Sequence, residues 1–180
     1  MSDSAPNLVL VGPMGAGKSA IGRRLAERLG LAFADLDEDI EAATGAAIPV
    51  IFDCEGESGF RQRERAALES RLGGEGLVLA TGGGAVLDPG NRRLLRERGY
   101  VVWLRSRVET QLERLARCAN RPLLQRADRG EVLRALAAER DPLYAEAADF
   151  IFDTDGLTPG TAAGELAAAV HARWQAPEQA

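Results

Sequence analysis

The stretch "GPMGAGKS", residues 12–19, stands directly behind the apolar run "LVLV" (8–11) and ahead of an amphipathic stretch that stops at Gly30. Three glycines and a lysine placed behind a buried strand need a chemical reason. Lys18 is the only lysine in a chain whose other basic residues are all arginine. Gly12-x-x-x-x-Gly17-Lys18-Ser19 is the full pattern of a phosphate-cradling loop, in its required setting of strand before and helix after. Glycines let backbone N–H groups wrap an anion closely and permit positive φ. The helix beginning near Lys18 points its positive dipole end at the same anion. Lys18 offers a compact point charge to the β- and γ-phosphates, and Ser19 a hydroxyl to Mg²⁺.

Outward from the loop, short apolar runs alternate with helical patterns. The strand candidates are 8–11, 31–35, 77–80, 100–104 and 150–152, mostly continuous in apolar character, as strands covered on both faces are. Helical patterns fall at 18–29, 38–44, 57–72, 89–98, 107–117, 130–140 and 160–174, several stopped by glycine. Such alternation predicts a doubly wound α/β domain with a parallel sheet. No repeat, linker or second core breaks it, so one domain over 1–180 is expected, with its core at about 8–174 and a frayed tail at 175–180.

The 180 residues are 46% hydrophobic, enough for one full core. A net charge of −5 argues against a general nucleic-acid or membrane surface. Cys54 and Cys118 lack metal-ligand spacing and read as reduced thiols. The start "MSDSAPN" is unlike a signal peptide, and no apolar run reaches the ~20 residues of a membrane helix. A cytoplasmic monomer is expected.

Four further stretches carry chemistry, each with a competing reading. "RLARCANRPLLQRADRG" (114–130) concentrates arginines around Pro122, and is either a mobile lid over an anionic ligand or a solvated loop. "ADLDED" sets Asp35 and Asp37 two apart at a strand end, projecting to one side, where ligands bind in open α/β sheets. A carboxylate there accepts a hydroxyl proton or holds a metal-bound water; alternatively Asp37 caps the next helix. "GFRQRE" (59–64) puts Arg61 at a helix start, free for a ligand or paired with Glu57 or Glu64. "LATGGG" (79–84) places Gly82, Gly83 and Gly84 at the third strand's end, for close backbone approach to a ligand or simply as a flexible turn.

These clusters in this order resemble the shikimate kinase family, of the nucleoside-monophosphate-kinase-like P-loop proteins. The resemblance spans about residues 8–155 and rests on "GPMGAGKS", the "DLD" carboxylates, "IFDCEGESGFRQRE", "LATGGGAV", "RPLL" (121–124) and "ERDPLY" (139–144). It implies a five-stranded parallel sheet of order 2-3-1-4-5. It also implies transfer of the ATP γ-phosphate to the 3-hydroxyl of shikimate, in the route to chorismate and aromatic amino acids. By that resemblance Asp37 meets the substrate hydroxyls, Arg61 and Arg140 hold the substrate carboxylate, and Gly82, Gly83 and Gly84 line the acceptor. Gly15, Ala16, Gly17, Lys18, Ser19 and Ala20 cradle ATP, Arg121 in the lid reaches its phosphates, and Arg114 lies near the adenine. Lys18, Asp37 and Arg121 become the catalytic set; Ser19 binds magnesium directly and Asp35 through water. A small polyhydroxy acid suits forked arginines and an aspartate.

Two departures stand out. Position 20 is Ala where many relatives carry Thr, and Ala47 replaces a common serine before Pro49, leaving that helix start without a side-chain cap. The segment 154–159 should flank the adenine by analogy, and His171 sits away from every motif. Two other functions stay open: a kinase of the same fold acting on gluconate or a nucleoside monophosphate, and a non-catalytic ATP-binding module.

Overall fold

The computed structural model describes residues 6–117 and 128–174. Arg121, Cys118, the middle of the expected lid and the 175–180 tail lie outside the described residues.

Five strands form one parallel sheet: β1 (Asn7–Val11), β2 (Ala32–Asp35), β3 (Leu77–Ala80), β4 (Gly99–Arg105) and β5 (Phe150–Asp153). Their order is β2-β3-β1-β4-β5, the order the resemblance implies. Around it run α1 (Lys18–Leu29), α2 (Leu36–Thr44), α3 (Ile48–Leu72), α4 (Pro89–Arg98), α5 (Val108–Ala116), α6 (Arg129–Ala147) and α7 (Pro159–Trp174). The two-residue alternation of β1 sends Leu8 and Leu10 into one apolar layer and Val9 and Val11 into the other. The first layer is closed by Ile21 and Leu25 of α1 and Leu166 and Val170 of α7. The second is closed by Ile40, Phe60, Leu68, Leu95 and Tyr144. Burial on both faces is why the central strands read as unbroken apolar runs.

Several expectations are corrected. β2 and β5 are the sheet edges, so they are only partly covered, and Ile151 is 42% exposed. Helix α2 begins at Leu36, because the Asp35 side chain accepts from the N–H groups of Asp37 and Glu38 and so starts the helix itself. Asp37 therefore lies on the first turn of α2, neither on the strand nor as its cap. The "EGESG" break is a kink rather than a helix start: Gly56, with φ 70°, sits inside α3, and Arg61 follows it within the same element. Helix α6 continues through Pro142 to Ala147, held by buried Leu133, Tyr144 and Ala147 on the core side.

Both ligand-facing loops leave from central strands. The phosphate loop follows β1, and the glycine turn 82–84 follows β3 beside it. Thr81 ties the second to the first, its N–H and its hydroxyl both donating to the Leu10 carbonyl at 3.1 and 3.0 Å.

Candidate active site

The phosphate loop folds as its glycines allow. Gly12, Gly15 and Gly17 hold φ of 146°, 82° and 90°, and a Cβ on Gly12 would overlap the Leu104 carbonyl. Gly17 is the N-cap of α1 and brings no side-chain cap, so the first-turn N–H groups remain for an anion. Lys18 curls over the loop, its Nζ donating to the Gly12 and Pro13 carbonyls at 2.8 Å each. The Ser19 hydroxyl donates to an Asp35 carboxylate oxygen, which brings the two expected magnesium groups together at the loop's end. Ala20 occupies the first turn of α1 behind them.

Arg114 of α5 spans the loop and the segment after β5. Its guanidinium donates to the carbonyls of Gly15 and Ala16 at 3.1 and 3.3 Å, and to Oγ1 and the carbonyl oxygen of Thr154 at 3.0 and 2.6 Å. Thr154 is buried, and its hydroxyl donates to the Arg105 carbonyl, which anchors the bridge to the end of β4. The segment after β5 and the phosphate loop are thereby tied to one side chain.

On the acceptor side, side chains from three helices converge on the glycine turn. A Cβ on Gly82 would lie 3.0 Å from Asp37 Oδ1 and 3.2 Å from Glu64 Oε2. One on Gly83 would lie 3.4 Å from Arg140 Nη1, 3.6 Å from the Tyr144 hydroxyl and 3.7 Å from the Gly12 carbonyl oxygen. One on Gly84 would overlap the Arg61 guanidinium. These glycines do not adopt positive φ; they are needed because charged side chains occupy the space beside them. The cluster thus contains Asp37, Arg61, Glu64, Arg140 and Tyr144 packed around one turn, next to the phosphate loop.

Glu64 and Tyr144 are the members that sequence reasoning did not assign. Glu64 is fully buried and accepts from Arg61 at 2.7 Å, while exposed Glu57 sits 3.5 Å from the same guanidinium. Both pairings foreseen as a competing reading for Arg61 exist, yet they do not remove Arg61 from the site. Burial pushes the Glu64 carboxyl up, with Arg61 pulling it down and nearby Asp37 adding to the rise. Tyr144 donates to the Gly83 carbonyl at 2.5 Å, and burial raises its hydroxyl pKa to about 12. The signals were in the spacing: Glu64 is three residues past Arg61, and Tyr144 four past Arg140.

Three buried polar atoms of this cluster, Arg61 Nε, Arg140 Nε and Glu64 Oε2, have no hydrogen-bond partner among the described residues. Leaving such groups unsatisfied costs about 1–3 kcal/mol apiece, so the cluster concentrates uncompensated polarity at the glycine turn.

A P-loop phosphotransferase with an acceptor site for a small hydroxylated anion is the class that this fold and these two clusters define. The shikimate kinase family model matches residues 14–171. A curated shikimate kinase of Stenotrophomonas maltophilia is 58% identical over 171 residues, 95% of each chain, and one of Xanthomonas campestris is 54% identical over the same span. Among solved structures, shikimate kinase from Acinetobacter baumannii in complex with shikimate superposes with a TM-score of 0.91, at 46% identity and 96% coverage of each chain. The chain belongs to the shikimate kinase family. It is a kinase, and ATP is its co-substrate.

Proposed function

We propose that this chain transfers the γ-phosphoryl group of ATP to the 3-hydroxyl of shikimate, giving shikimate 3-phosphate and ADP on the route to chorismate and the aromatic amino acids. The observation that carries the reading is the convergence of Arg61, Arg140 and Asp37 on a glycine turn that adjoins the phosphate loop. That adjacency suits a direct transfer, because acceptor and γ-phosphate must meet in line.

In this reading the two arginines hold the substrate carboxylate, with Glu64 fixing Arg61. Gly82, Gly83 and Gly84 line the ring. Asp37 orients the attacking hydroxyl and takes its proton as the new P–O bond forms and the bond to the β-phosphate oxygen breaks. Lys18 leaves its carbonyl partners for the phosphates and stabilises their charge, helped by the N–H groups of Gly15 to Ala20. Arg114 borders the adenine and Arg121 reaches the phosphates; the two ends of the expected 114–130 lid belong to α5 and α6, so Arg114 acts from a helix and not from a lid.

Ser19 and Asp35 form a suitable pair for Mg²⁺, since a hydroxyl and a carboxylate in contact are the hard oxygen donors it prefers. Bound there with ATP, the ion would neutralise phosphate charge. Among the described residues no helix is long and apolar enough to cross a membrane. A cytoplasmic monomer of one domain fits the acidic balance and the free, exposed Cys54.

Measurement of ADP release with shikimate, quinate, gluconate and the nucleoside monophosphates tests the reading. Turnover should be highest with shikimate. Preference for gluconate or a nucleoside monophosphate, or no turnover on any acceptor, would overturn it.

A further inference from the structure

Arg140 and Tyr144 lie on one face of α6, one turn apart, with Pro142 between them. Pro142 has no N–H, so the helix loses the rung that would run back to the Ala138 carbonyl. The helix end is steadied instead by a tertiary contact. Tyr144 is 1% exposed, its ring lies 5.7 Å from that of Trp103 on β4, and its hydroxyl donates to the Gly83 carbonyl at 2.5 Å. The Arg140 guanidinium lies beside the phenol: a Cβ on Gly83 would meet Arg140 Nη1 at 3.4 Å and the Tyr144 hydroxyl at 3.6 Å. One buried phenol therefore holds the middle glycine of the acceptor turn and packs beside an arginine whose Nε has no partner among the described residues.

We propose that Tyr144 is a positioning residue for the acceptor, setting the direction in which Arg140 and the Gly83 N–H present themselves to the substrate carboxylate and ring. It touches no reacting atom. Its effect is carried by two neighbours, Gly83 and Arg140. A loose Arg140 would lose entropy each time it gripped a carboxylate; confined beside the phenol and the glycine turn, it is ordered beforehand. The phenol suits this task because its burial keeps it protonated through the whole physiological range, a steady donor to the Gly83 carbonyl. The proposal rests on the reading of Arg140 as a carboxylate ligand.

The test compares wild type, Tyr144→Phe, Arg140→Ala and the double variant, with shikimate and its methyl ester titrated as ligands. Tyr144→Phe keeps the ring against Trp103 and removes only the hydroxyl. Binding of shikimate, and its KM, should weaken about 5- to 10-fold, the loss of one hydrogen bond of ordinary strength. The KM for ATP should not change, kcat should stay within about threefold, and the ester, lacking the charge that Arg140 holds, should bind the variant and wild type alike. In the Arg140→Ala background the further loss of the hydroxyl should cost little. Equal weakening of acid and ester, a parallel rise in the KM for ATP, or unchanged shikimate binding would overturn the positioning role. Normal shikimate binding by Arg140→Ala alone would overturn the carboxylate clamp, and this proposal with it. Should Tyr144→Phe fail to fold, 4-aminophenylalanine at position 144 restores a donor to the Gly83 carbonyl; it should recover shikimate affinity, and folded protein with affinity still lost would count against the role.

Discussion

The Arg61 guanidinium occupies the space that a side chain on Gly84 would need: a Cβ there would lie 2.7 Å from Nη1 and 2.8 Å from Cζ. Gly84 itself has φ −96° and ψ 3°, angles open to alanine, so Gly84→Ala is a steric test with little backbone cost. The added methyl should push Arg61 off its 2.7 Å bond to Glu64 and misaim it. The KM for shikimate should rise about 10-fold or more while the KM for ATP holds, since the phosphate loop is untouched. Steady-state rates with each substrate varied decide it; a wild-type KM for shikimate would mean that Arg61 need not stand where it does.

Much of this was legible beforehand, and the exceptions share a cause. The phosphate loop could be read because its chemistry is carried by backbone and glycine, and the central strands because burial on both faces writes an unbroken apolar run. Asp35 and Asp37 were seen as a pair, but one residue does two jobs: Asp35 caps α2 and meets Ser19, which moves Asp37 onto the helix. Sequence spacing cannot reveal that division. Glu64 was visible only as a partner for a surface arginine, because a glutamate carries no sign of its depth; it is tertiary packing that buries it. The helical pattern expected at 130–140 runs on to Ala147, because the buried side of α6 outweighs the single hydrogen bond lost at Pro142.

Buried Glu64 gives a pH prediction. Its folded pKa is raised above the ordinary 4.5, so the stability linked to it is present below about that value and is lost as pH rises through the folded pKa. Glu64→Gln has no such titration. The melting temperature of the Gln variant should therefore gain on wild type as pH goes from about 4.5 toward neutrality, whatever its offset from losing the Arg61 ion pair. Paired melts at several pH values check this, and a difference that does not vary with pH would place the carboxyl at its ordinary pKa.

Lys18 makes two 2.8 Å bonds to adjacent loop carbonyls, a pocket scaled to an ammonium group. Lys18→Ala should lower kcat at least about 10²- to 10³-fold, the usual cost of one transition-state charge contact. Lys18→Arg should not restore it, because a planar fork cannot take the place of a compact cation. Wild-type-like turnover by the arginine variant would return the solitary lysine to coincidence.

Asp37 can be separated from the arginines by where its loss appears. Asp37→Asn keeps the shape beside Gly82 but removes the base, so kcat should fall far more than shikimate binding weakens. Arg61→Ala should do the reverse, weakening binding about 10- to 100-fold with smaller change in kcat. Titrations and rates on both variants settle the split, and the same pattern from each would merge the two roles.

Asp35 joins two functions that one substitution can part. Its carboxylate accepts from the N–H groups of Asp37 and Glu38 at 3.0 and 3.3 Å, capping α2, and its other oxygen receives the Ser19 hydroxyl. Asparagine is as good an N-cap as aspartate, so Asp35→Asn should keep α2 and the melting temperature nearly intact. Alanine removes the cap and should lower stability by about 1 kcal/mol. Both variants lose the negative charge next to Ser19, which an ion held through water depends on. Each should therefore need more magnesium for half-maximal turnover, while the KM for shikimate stays near wild type in the stable Asn variant. Melts and magnesium titrations of the pair separate the effects. A magnesium requirement that rises only in the Ala variant would assign Asp35 to the helix cap alone and leave Ser19 as the single metal-side group.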